Sequence, residues 1–438
     1  QKGSEGPITW KVWGLERNDD VLMFLRSSLN NVVCYWQQRL KRVCRDSKSV
    51  LFRKIIINVS KPFAILVALF VMCLRPILVI RFGGLTNDRI GHFIGDTEMY
   101  LCERDVGLQG HNTLDIFYFL SRSHCNQQLA KMWKRKLRVV SYAVVFDFPI
   151  RVLPGFKAHT INIPSDRDIK GLLKRTPVHL TFTPEEETEG YKRLQNIGIT
   201  EGASFVCLHA RDSAYLEHMY PERDWRYHDF NDTNVENYIK CAVEMVKRGY
   251  TILRMSAFTN KKLKTENPGI IDYATVARSD FMDMFLEAKC SFHLGSPSGL
   301  ATVPMMFRRP RVIVDMSALE YACTWRADEV FITRKIWMIR ERRFMTFREM
   351  FKSGAGRFLS TELYKEYGLE LLDSSPEEIM DVAVEMDERL KGTWQTNEED
   401  EELQRLFWAI FPKSELHGEI LSRIGAGFLR QNRELLEM

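Results

Sequence analysis

Strand-like and helix-like segments alternate along the chain from residue 203 onward, and this alternation restricts the possible folds more than any other feature. The strand-like segments are short apolar runs at Phe205–His209, Thr251–Met255, Ile270–Tyr273, Ser291–Leu294 and Val312–Asp315. The helix-like segments between them are Asn234–Arg248, Ser279–Lys289 and Gly299–Phe307. Strands and helices that alternate at this spacing predict a parallel sheet with helices on both faces. We therefore expect a Rossmann-like α/β domain over residues 201–345.

A less regular series of the same kind precedes this domain. It is strand-like at Ile77–Arg81, Ile116–Leu120 and Val139–Phe146, and helix-like from Thr97 and over Asn126–Lys136. The tetrapeptide TPEE at 183–186 is a capping box with proline at the first helical position, so it predicts a joining helix that ends near Gly198. These patterns predict a second Rossmann-like domain over residues 77–200, facing the first across a ligand cleft.

The last third of the chain has helical patterns. Ser375 is followed by Pro-Glu-Glu and by apolar residues at helical spacing as far as Gly392, which predicts a capped helix. The acidic run at 398–402 is typical of a solvated helix start, and Ile424–Leu436 is typical of a closing helix. We expect the segment 346–438 to consist of helices that pack across both domains.

The front of the chain, residues 1–76, combines a basic stretch with a short apolar one. Phe63–Leu74 is the most apolar run, but a helix of twelve residues covers only ~18 Å, whereas a bilayer core needs about 20 residues. Seven lysines and arginines against one aspartate occupy 39–54. This order predicts a helical segment lying on an anionic membrane surface, peripheral at the inner face of the cell membrane of a cytoplasmic protein. The alternative is a core helix beside a solvated basic segment.

The composition excludes some classes of protein. The nine cysteines are scattered, with no C-x-x-C pair, so neither a disulfide framework nor a structural zinc site is expected. The net charge of +5 is too small to indicate a nucleic-acid partner. No D-x-D motif lies between the predicted strands of the 201–345 domain, so we expect no metal and no cofactor.

The stretch RFGGLTNDRIGHFIGD, from Arg81 to Asp96, is rich in glycine and carries several groups that could act as a base. We interpret Gly83 and Gly84 as a turn after a strand, and Gly91 and Gly95 as points of close approach to a substrate. The candidate bases are Asp88, His92 and Asp96, with Glu98 just beyond. The alternative is a tight glycine turn in which the aspartates are caps.

Two further loops follow predicted strands of the 201–345 domain, at the edge where open α/β sheets bind ligands. The first is CLHARDSAYLE at 207–217, which carries His209, Arg211, Asp212 and Tyr215. An arginine at the end of a strand can bind a diphosphate with its planar fork. The alternative is a structural Arg211–Asp212 surface pair.

The second loop is HLGSPSGLA at 293–301, a strand followed by a turn of small residues. Ser296, Ser298 and the backbone amides of Gly299 and Leu300 are predicted to lie at a helix N-terminus, where phosphate binds well. No lysine follows the glycine, so this is not a Walker loop. The alternative is a plain turn between a strand and a helix. Together the two loops favour an anionic diphosphate as the ligand.

Several of these segments resemble a family of bacterial proteins assigned as glycosyltransferases. The similar segments are Arg81–Asp105, FVCLHARDSAYL, SDFMDMFLEAKCSFHLGSPSGL with the FRRP that follows, RFMTFREM, and SPEEIMDVAVEMDERLKGTW. The resemblance extends from about Pro76 nearly to the end of the chain. More distantly, His209-Ala210-Arg211 is similar to the H-x-R motif of fucosyltransferases that have two Rossmann domains. Residues 295–299 resemble the donor loop of heptosyltransferases and fucosyltransferases.

The resemblance implies a GT-B-like enzyme in which Arg211 contacts the phosphates of a nucleotide sugar. Asp212 departs from the fucosyltransferase pattern, which has its acid further along, so a fucose donor is not implied. We expect a glycosyltransferase of bacterial surface glycan biosynthesis that moves a sugar to a glycan, lipid-linked or protein acceptor. The donor would be held by the 201–345 domain, with a base among Asp88, His92 and Asp96 on the acceptor side. The alternatives are a nucleotide-sugar epimerase of the same fold and a catalytically inactive glycan-binding scaffold.

Overall fold

The computed structural model describes residues 66–110, 112–151, 153 and 155–437. Its helices are α1 (66–73), α2 (Ile90–Asp105), α3 (Gln127–Lys136), α4 (Ala143–Ile150), α5 (Pro184–Asn196), α6 (Ala214–Met219), α7 (Ile239–Lys247), α8 (Tyr273–Val276), α9 (Asp280–Lys289), α10 (Thr302–Met306), α11 (Phe347–Ser353), α12 (Thr361–Glu366), α13 (Pro376–Lys391), α14 (Glu398–Ile410) and α15 (Ala426–Gln431). Its strands are β1 (Val79–Leu85), β2 (Thr113–Phe119), β3 (Phe205–His209), β4 (Thr251–Arg254), β5 (Ile270–Ile271), β6 (Phe292–Gly295), β7 (Arg311–Met316), β8 (Glu329–Thr333), β9 (Lys335–Met338), β10 (Arg343–Phe344), β11 (Leu369–Leu372) and β12 (Arg423–Ile424).

A parallel sheet of seven strands, in the order β12-β8-β7-β6-β3-β4-β5, is the centre of the structure. If β3 is counted as the first strand, the order contains the arrangement 3-2-1-4-5-6 of Rossmann folds, with β12 added at one edge. The order reverses between β3 and β6. The predicted α/β class and the parallel sheet over residues 201–345 are confirmed.

The sheet is buried on both faces, as parallel sheets require. All five residues of β3 are buried. Val206 and Leu208 pack into a core formed with α7, α13, α14 and α15, whereas Phe205 and Cys207 pack into a second core with α5 and α9. Alternate side chains of one strand thus supply both cores, because successive residues of a strand point to opposite faces.

The helix starts predicted from capping residues are confirmed. Thr183 and Ser375 each form a complete capping box, at the first turns of α5 and α13. Ser279 accepts a hydrogen bond from the Met282 amide at the start of α9. The acidic run at 398–402 does begin a helix, α14, but its cap Asn397 was not predicted and Asp400 of the run is buried. A side-chain cap is a local interaction between residues two or three positions apart, so the sequence alone specifies it.

The end of the chain differs from the predicted closing helix. Ile424–Leu436 is divided into the end of β12, the helix α15 and a short 3-10 turn at Arg433–Leu436. The Gly425 amide donates to Phe331 O of β8 at 2.8 Å, which continues the strand pairing. Asn432 ends α15 and donates its side-chain amide to Phe428 O and to Glu378. Strand pairing and a side-chain amide therefore interrupt what the apolar pattern suggested was one helix.

Internal contacts divide the chain into two compact units. The first comprises the described residues up to Gly84 together with Asn112–Ser121 and Arg138–Asn162, and the second comprises the remainder. The second unit thus includes α2, α3 and residues 163–200 along with the large sheet. The domain bounds predicted from the sequence, 77–200 and 201–345, differ from these units and stay a prediction.

The first unit contains the two-stranded sheet of β1 and β2. Isolated parallel bridges extend it at Phe82–Thr160 and Phe117–Val139. Its core includes Ala68 and Val71 of α1, together with the core residues Phe82, Tyr118, Ala143 and Ile150. A second complete Rossmann-like sheet in this half of the chain stays a prediction.

Three local predictions in the first half of the chain are wrong. Gly83 and Gly84 lie within β1 and do not form a turn. Close packing requires the glycine at position 84, because a Cβ there would approach Leu120 Cδ2 to 2.3 Å. The helix predicted from Thr97 begins at Ile90. The second half of the predicted strand Val139–Phe146 is helical, because α4 begins at Ala143. In each case packing against distant residues overrides the local pattern.

The front segment is only partly described. Residues 66–73 of the apolar run are helical, and the basic stretch at 39–54 lies outside the described residues. Within the part of the chain that the structure describes, no helix combines the length and apolar character needed to cross a membrane.

Candidate active site

A cavity of about 670 Å³ lies in the second unit, beside the carboxyl ends of β3 and β6. This is the point at which the strand order reverses, where open α/β sheets bind their ligands. Its lining combines the loop after β3, the loop after β6 and the start of α2. The predicted site residues in its wall are His92, His209, Arg211, Asp212, Tyr215, Ser298, Gly299 and Leu300.

Arg211 is held at the cavity wall by contacts with one of its three guanidinium nitrogens. Its Nη1 donates to the Asp232 carboxylate and, at 3.3 Å, to His228 O. Among the described residues, neither Nε nor Nη2 has a hydrogen-bond partner. The Nε–Nη2 edge can therefore bind two oxygens of an anion in bidentate fashion.

The ionic partner of Arg211 is Asp232 and not the adjacent Asp212. Asp212 instead accepts hydrogen bonds from the Ala214 amide at 3.2 Å and the Asn260 amide at 3.0 Å. Burial raises the pKa of Asp232 to about 6, although Arg211 acts in the opposite direction. The alternative of a local Arg211–Asp212 pair is therefore wrong, and Asp212 holds the backbone of two loops together.

His209 is a neutral hydrogen-bond acceptor at the end of β3. Its Nδ1 lies 2.9 Å from Met255 O, so Nδ1 carries the proton and Nε2 has the lone pair. Burial is the main cause that lowers the pKa of His209 to about 3. A neutral imidazole of this tautomer suits a hydroxyl donor better than a phosphate.

The loop after β6 is joined to the loop after β3. The fully buried Ser296 accepts a hydrogen bond from the Arg211 amide at 3.0 Å, and Ser298 accepts one from the Ala301 amide at 3.3 Å. The helix expected from Gly299 begins only at Thr302 and has five residues. The predicted helix start at Gly299 is wrong because residues 299–301 form a turn that precedes the helix.

The start of α2 supplies a helix N-terminus at the same cavity. Arg89 to His92 line the wall. The N-cap residue, Arg89, makes no capping hydrogen bond, and the first turn of this sixteen-residue helix has no acidic residue. The free amides and the helix dipole favour a negative charge at this end. The exposed guanidinium of Arg89, which forms no ion pair with a described residue, adds to that preference.

Glycines allow α2 to approach the loop after β6. A Cβ at Gly91 would lie 3.0 Å from Gly299 Cα, and one at Gly95 would lie 2.4 Å from Asp166 Cβ. These glycines thus serve helix packing, and they do so at the cavity wall. The Arg81–Asp96 stretch and the loop at 293–301, both singled out from the sequence, meet through this contact.

Among the three predicted bases, His92 is the one in the wall. Its Nδ1 lies 3.2 Å from Asp96 Oδ2, one helical turn further along, and this hydrogen bond raises the pKa of His92. Asp96 lies behind His92 and is mostly buried. Asp88 contributes its backbone carbonyl to a long contact with Tyr220 Oη, at 3.5 Å. An imidazole held at Nδ1 by a carboxylate has the arrangement of a general base.

Glu98, two positions beyond the Arg81–Asp96 stretch, lies elsewhere. It is fully buried and contacts His179 Nδ1 at 3.1 Å and Arg308 at 2.9 Å. Burial opposes the charged form of His179, but hydrogen bonds to Cys102, Glu98 and Asp105 outweigh it and raise the pKa of His179 to about 10. Glu98 is therefore part of a structural ionic cluster.

Sequence reasoning missed several charged residues of the cavity. Arg278, which lines it, pairs with Asp283 and Asp280 at 2.8 and 2.7 Å. Burial raises the pKa of Asp283 to about 6. Arg89 and Asp166 line the wall as well. Arg89 lies in the loop after β1 and Arg278 directly before the cap of α9, so a search for arginines at element ends would have found both.

Tyr215 also lines the cavity. Its Oη is buried and has no hydrogen-bond partner among the described residues. Burial raises the pKa of Tyr215, so the hydroxyl keeps its proton at neutral pH. An unpartnered buried hydroxyl is a group that a polar ligand can satisfy.

Two groups of metal-ligating side chains lie outside the cavity wall: Glu98, Cys102 and His179, and Cys207, Glu287 and Cys290. The first already has Arg308 on its carboxylate and both ring nitrogens of His179 paired with carboxylates. In the second group, burial raises the pKa of Cys207, and His293 Nδ1 lies within hydrogen-bond distance of Glu287 Oε2, at 3.0 Å. Glu98 Oε2 and His293 Nε2 are buried without a hydrogen-bond partner among the described residues.

No family model and no curated protein sequence matches the chain. Among solved structures, it is similar to E. coli ADP-heptose LPS heptosyltransferase II, with 11% identity over 58% of this chain and 90% of that one, at a TM-score of 0.33. It is also similar to a family 9 glycosyl transferase from Veillonella parvula, with 10% identity over 53% and 79% and a TM-score of 0.33. A third is the iron-containing dodecameric glycosyltransferase TibC from enterotoxigenic E. coli, with 12% identity over 54% and 60% and a TM-score of 0.32.

Proposed function

We propose that the protein is a GT-B-type glycosyltransferase that moves a sugar from a nucleotide-sugar donor to a glycan, lipid-linked or protein acceptor. The observation that carries the proposal is the cavity at the reversal point of the parallel sheet, with Arg211 and Arg278 in its wall and the uncapped start of α2 beside them. We infer that this cavity binds a ligand that carries negative charge. The family resemblance of the sequence supports a nucleotide sugar as that ligand.

The donor diphosphate would bind the Nε–Nη2 edge of Arg211. Two charge-assisted hydrogen bonds from this edge stabilise the negative charge that develops as the nucleoside diphosphate leaves. The Arg89 guanidinium and the first amides of α2 supply further positive potential. His209 Nε2 would accept a hydrogen bond from a hydroxyl of the donor, because it is neutral and has a lone pair.

The acceptor hydroxyl would be activated by His92. Asp96 holds Nδ1, so Nε2 takes the hydroxyl proton as the acceptor oxygen forms its bond to the anomeric carbon of the sugar. The bond from that carbon to the diphosphate oxygen breaks, and the diphosphate leaves with the bonding electrons. One base and the arginines account for every proton and charge in this transfer, so we propose that the reaction needs no metal ion. We also propose that it belongs to bacterial surface glycan synthesis.

Thermal unfolding with a panel of nucleoside diphosphates tests donor binding. A ligand at 100 times its Kd raises the unfolding free energy by about 2.7 kcal/mol, so one nucleotide is expected to raise the Tm clearly above the others. Arg211→Ala is the matched variant and should lose that shift. If no nucleotide stabilises the protein, the scaffold alternative holds and the proposal fails.

Incubation with the nucleotide sugar identified in this way tests the reaction. Labelled sugar is expected to appear in an acceptor fraction from bacterial envelopes, and the nucleoside diphosphate to be released in equal amount. EDTA should leave the rate unchanged. Conversion of the donor to an isomeric nucleotide sugar without any acceptor would identify an epimerase instead.

A further inference from the structure

Helix α1 of the first unit has two faces of different environment. Ala68 and Val71 are buried at 0% and 5% exposure in the core of the unit. On the other side Leu66, Leu69 and Phe70 are 65%, 46% and 63% exposed. Positions i, i+3 and i+4 of a helix share one face, so these three side chains form an apolar stripe.

A further exposed apolar side chain follows the helix in the sequence. Ile77, in the turn that follows α1 and eleven positions after Leu66, is 83% exposed. We use the term apolar stripe for Leu66, Leu69, Phe70 and Ile77. Single exposed apolar residues are ordinary, but a run of large ones on one face marks an interaction surface.

We propose that the apolar stripe inserts into the interface of an anionic lipid bilayer. The charge of the neighbouring sequence selects this occupant: residues 39–54 carry seven lysines and arginines against one aspartate. A basic segment next to a short apolar helix is attracted to anionic headgroups, and the apolar face then enters the boundary between headgroups and acyl chains.

Sedimentation of the full chain with vesicles tests this surface. We expect binding to vesicles of phosphatidylcholine with about one-third phosphatidylserine, weaker binding at high salt, and little binding to phosphatidylcholine alone. The variant Leu66→Ser/Phe70→Ser should bind at least tenfold more weakly. Phe70→Leu, which keeps the apolar surface, should bind as the wild type does.

A matched control uses exposed leucines of the second unit. Leu390 and Leu406 are 43% and 45% exposed, on α13 and α14, and Leu390→Ser/Leu406→Ser should leave vesicle binding unchanged. Binding of Leu66→Ser/Phe70→Ser equal to that of the wild type overturns the proposal. The proposal is also overturned if the wild type does not bind vesicles and Leu66→Ser/Phe70→Ser changes the Tm or the oligomeric state. The apolar stripe would then be covered by this chain or by a second copy. None of these measurements depends on the enzymatic activity.

Discussion

Replacing Arg211 with alanine tests the donor site most directly. The variant removes the Nε–Nη2 edge, which has no partner among the described residues. Each charge-assisted hydrogen bond is worth about 1.5–3 kcal/mol, and every ~1.4 kcal/mol changes a Kd tenfold. Loss of one to two such bonds, about 1.5–6 kcal/mol, should weaken nucleoside diphosphate binding at least tenfold and as much as about ten-thousandfold.

The same substitution also removes the cation beside Asp232. This carboxylate is partly buried, at 27% exposure, and its pKa is already about 6. Loss of its partner should lower the unfolding free energy by about 1–3 kcal/mol, so the variant is expected to fold with a reduced Tm. Binding should therefore be measured by isothermal titration calorimetry well below that Tm.

Two companion variants separate charge from geometry. Arg211→Lys keeps the charge but lacks the planar fork, so it should recover only part of the affinity. Asp232→Asn keeps Arg211 and removes a competing negative charge, so it should bind the diphosphate at least as tightly as the wild type. If folded Arg211→Ala binds with the wild-type Kd, the reasoning is refuted and the donor site lies elsewhere.

Three other substitutions test different parts of the second unit. Asp96 raises the pKa of His92, so Asp96→Asn should lower that pKa and move the acidic limb of the pH–rate profile to lower pH. An unchanged acidic limb would exclude His92 as the general base. The pKa of His179 is raised from 6.5 to about 10. Its charged form therefore stabilises the fold fully below pH 6.5, and this stabilisation is lost as the pH rises through 10. In urea titrations His179→Gln should thus lower the unfolding free energy more at about pH 6 than at about pH 10. Gly95→Ala sets a carbon 2.4 Å from Asp166 Cβ and should destabilise by ~1–3 kcal/mol, whereas Gly427→Ala, with nothing nearer than 3.5 Å, should be neutral or stabilising in the same urea assay.

The sequence by itself determined five of the seven strands of the parallel sheet and the capped starts of α5, α9 and α13. Buried strands such as β3 are continuous apolar runs, and caps such as Thr183 and Ser375 act on residues two or three positions away. Their signals are contained in a few consecutive residues. The two loops after β3 and β6 could likewise be predicted to meet, because the carboxyl ends of parallel strands share one edge of the sheet.

Only the tertiary structure decided which charges face one another at the cavity. The partner of Arg211 is 21 residues away, at Asp232, and Arg278 joins the wall from a different element. Gly91 and Gly95 were predicted to lie close to a substrate, yet Gly91 packs against Gly299 and Gly95 against Asp166. A glycine beside a ligand and a glycine at a tight helix contact have the same local sequence signal, and the distant residue that distinguishes them is known only once the chain has folded.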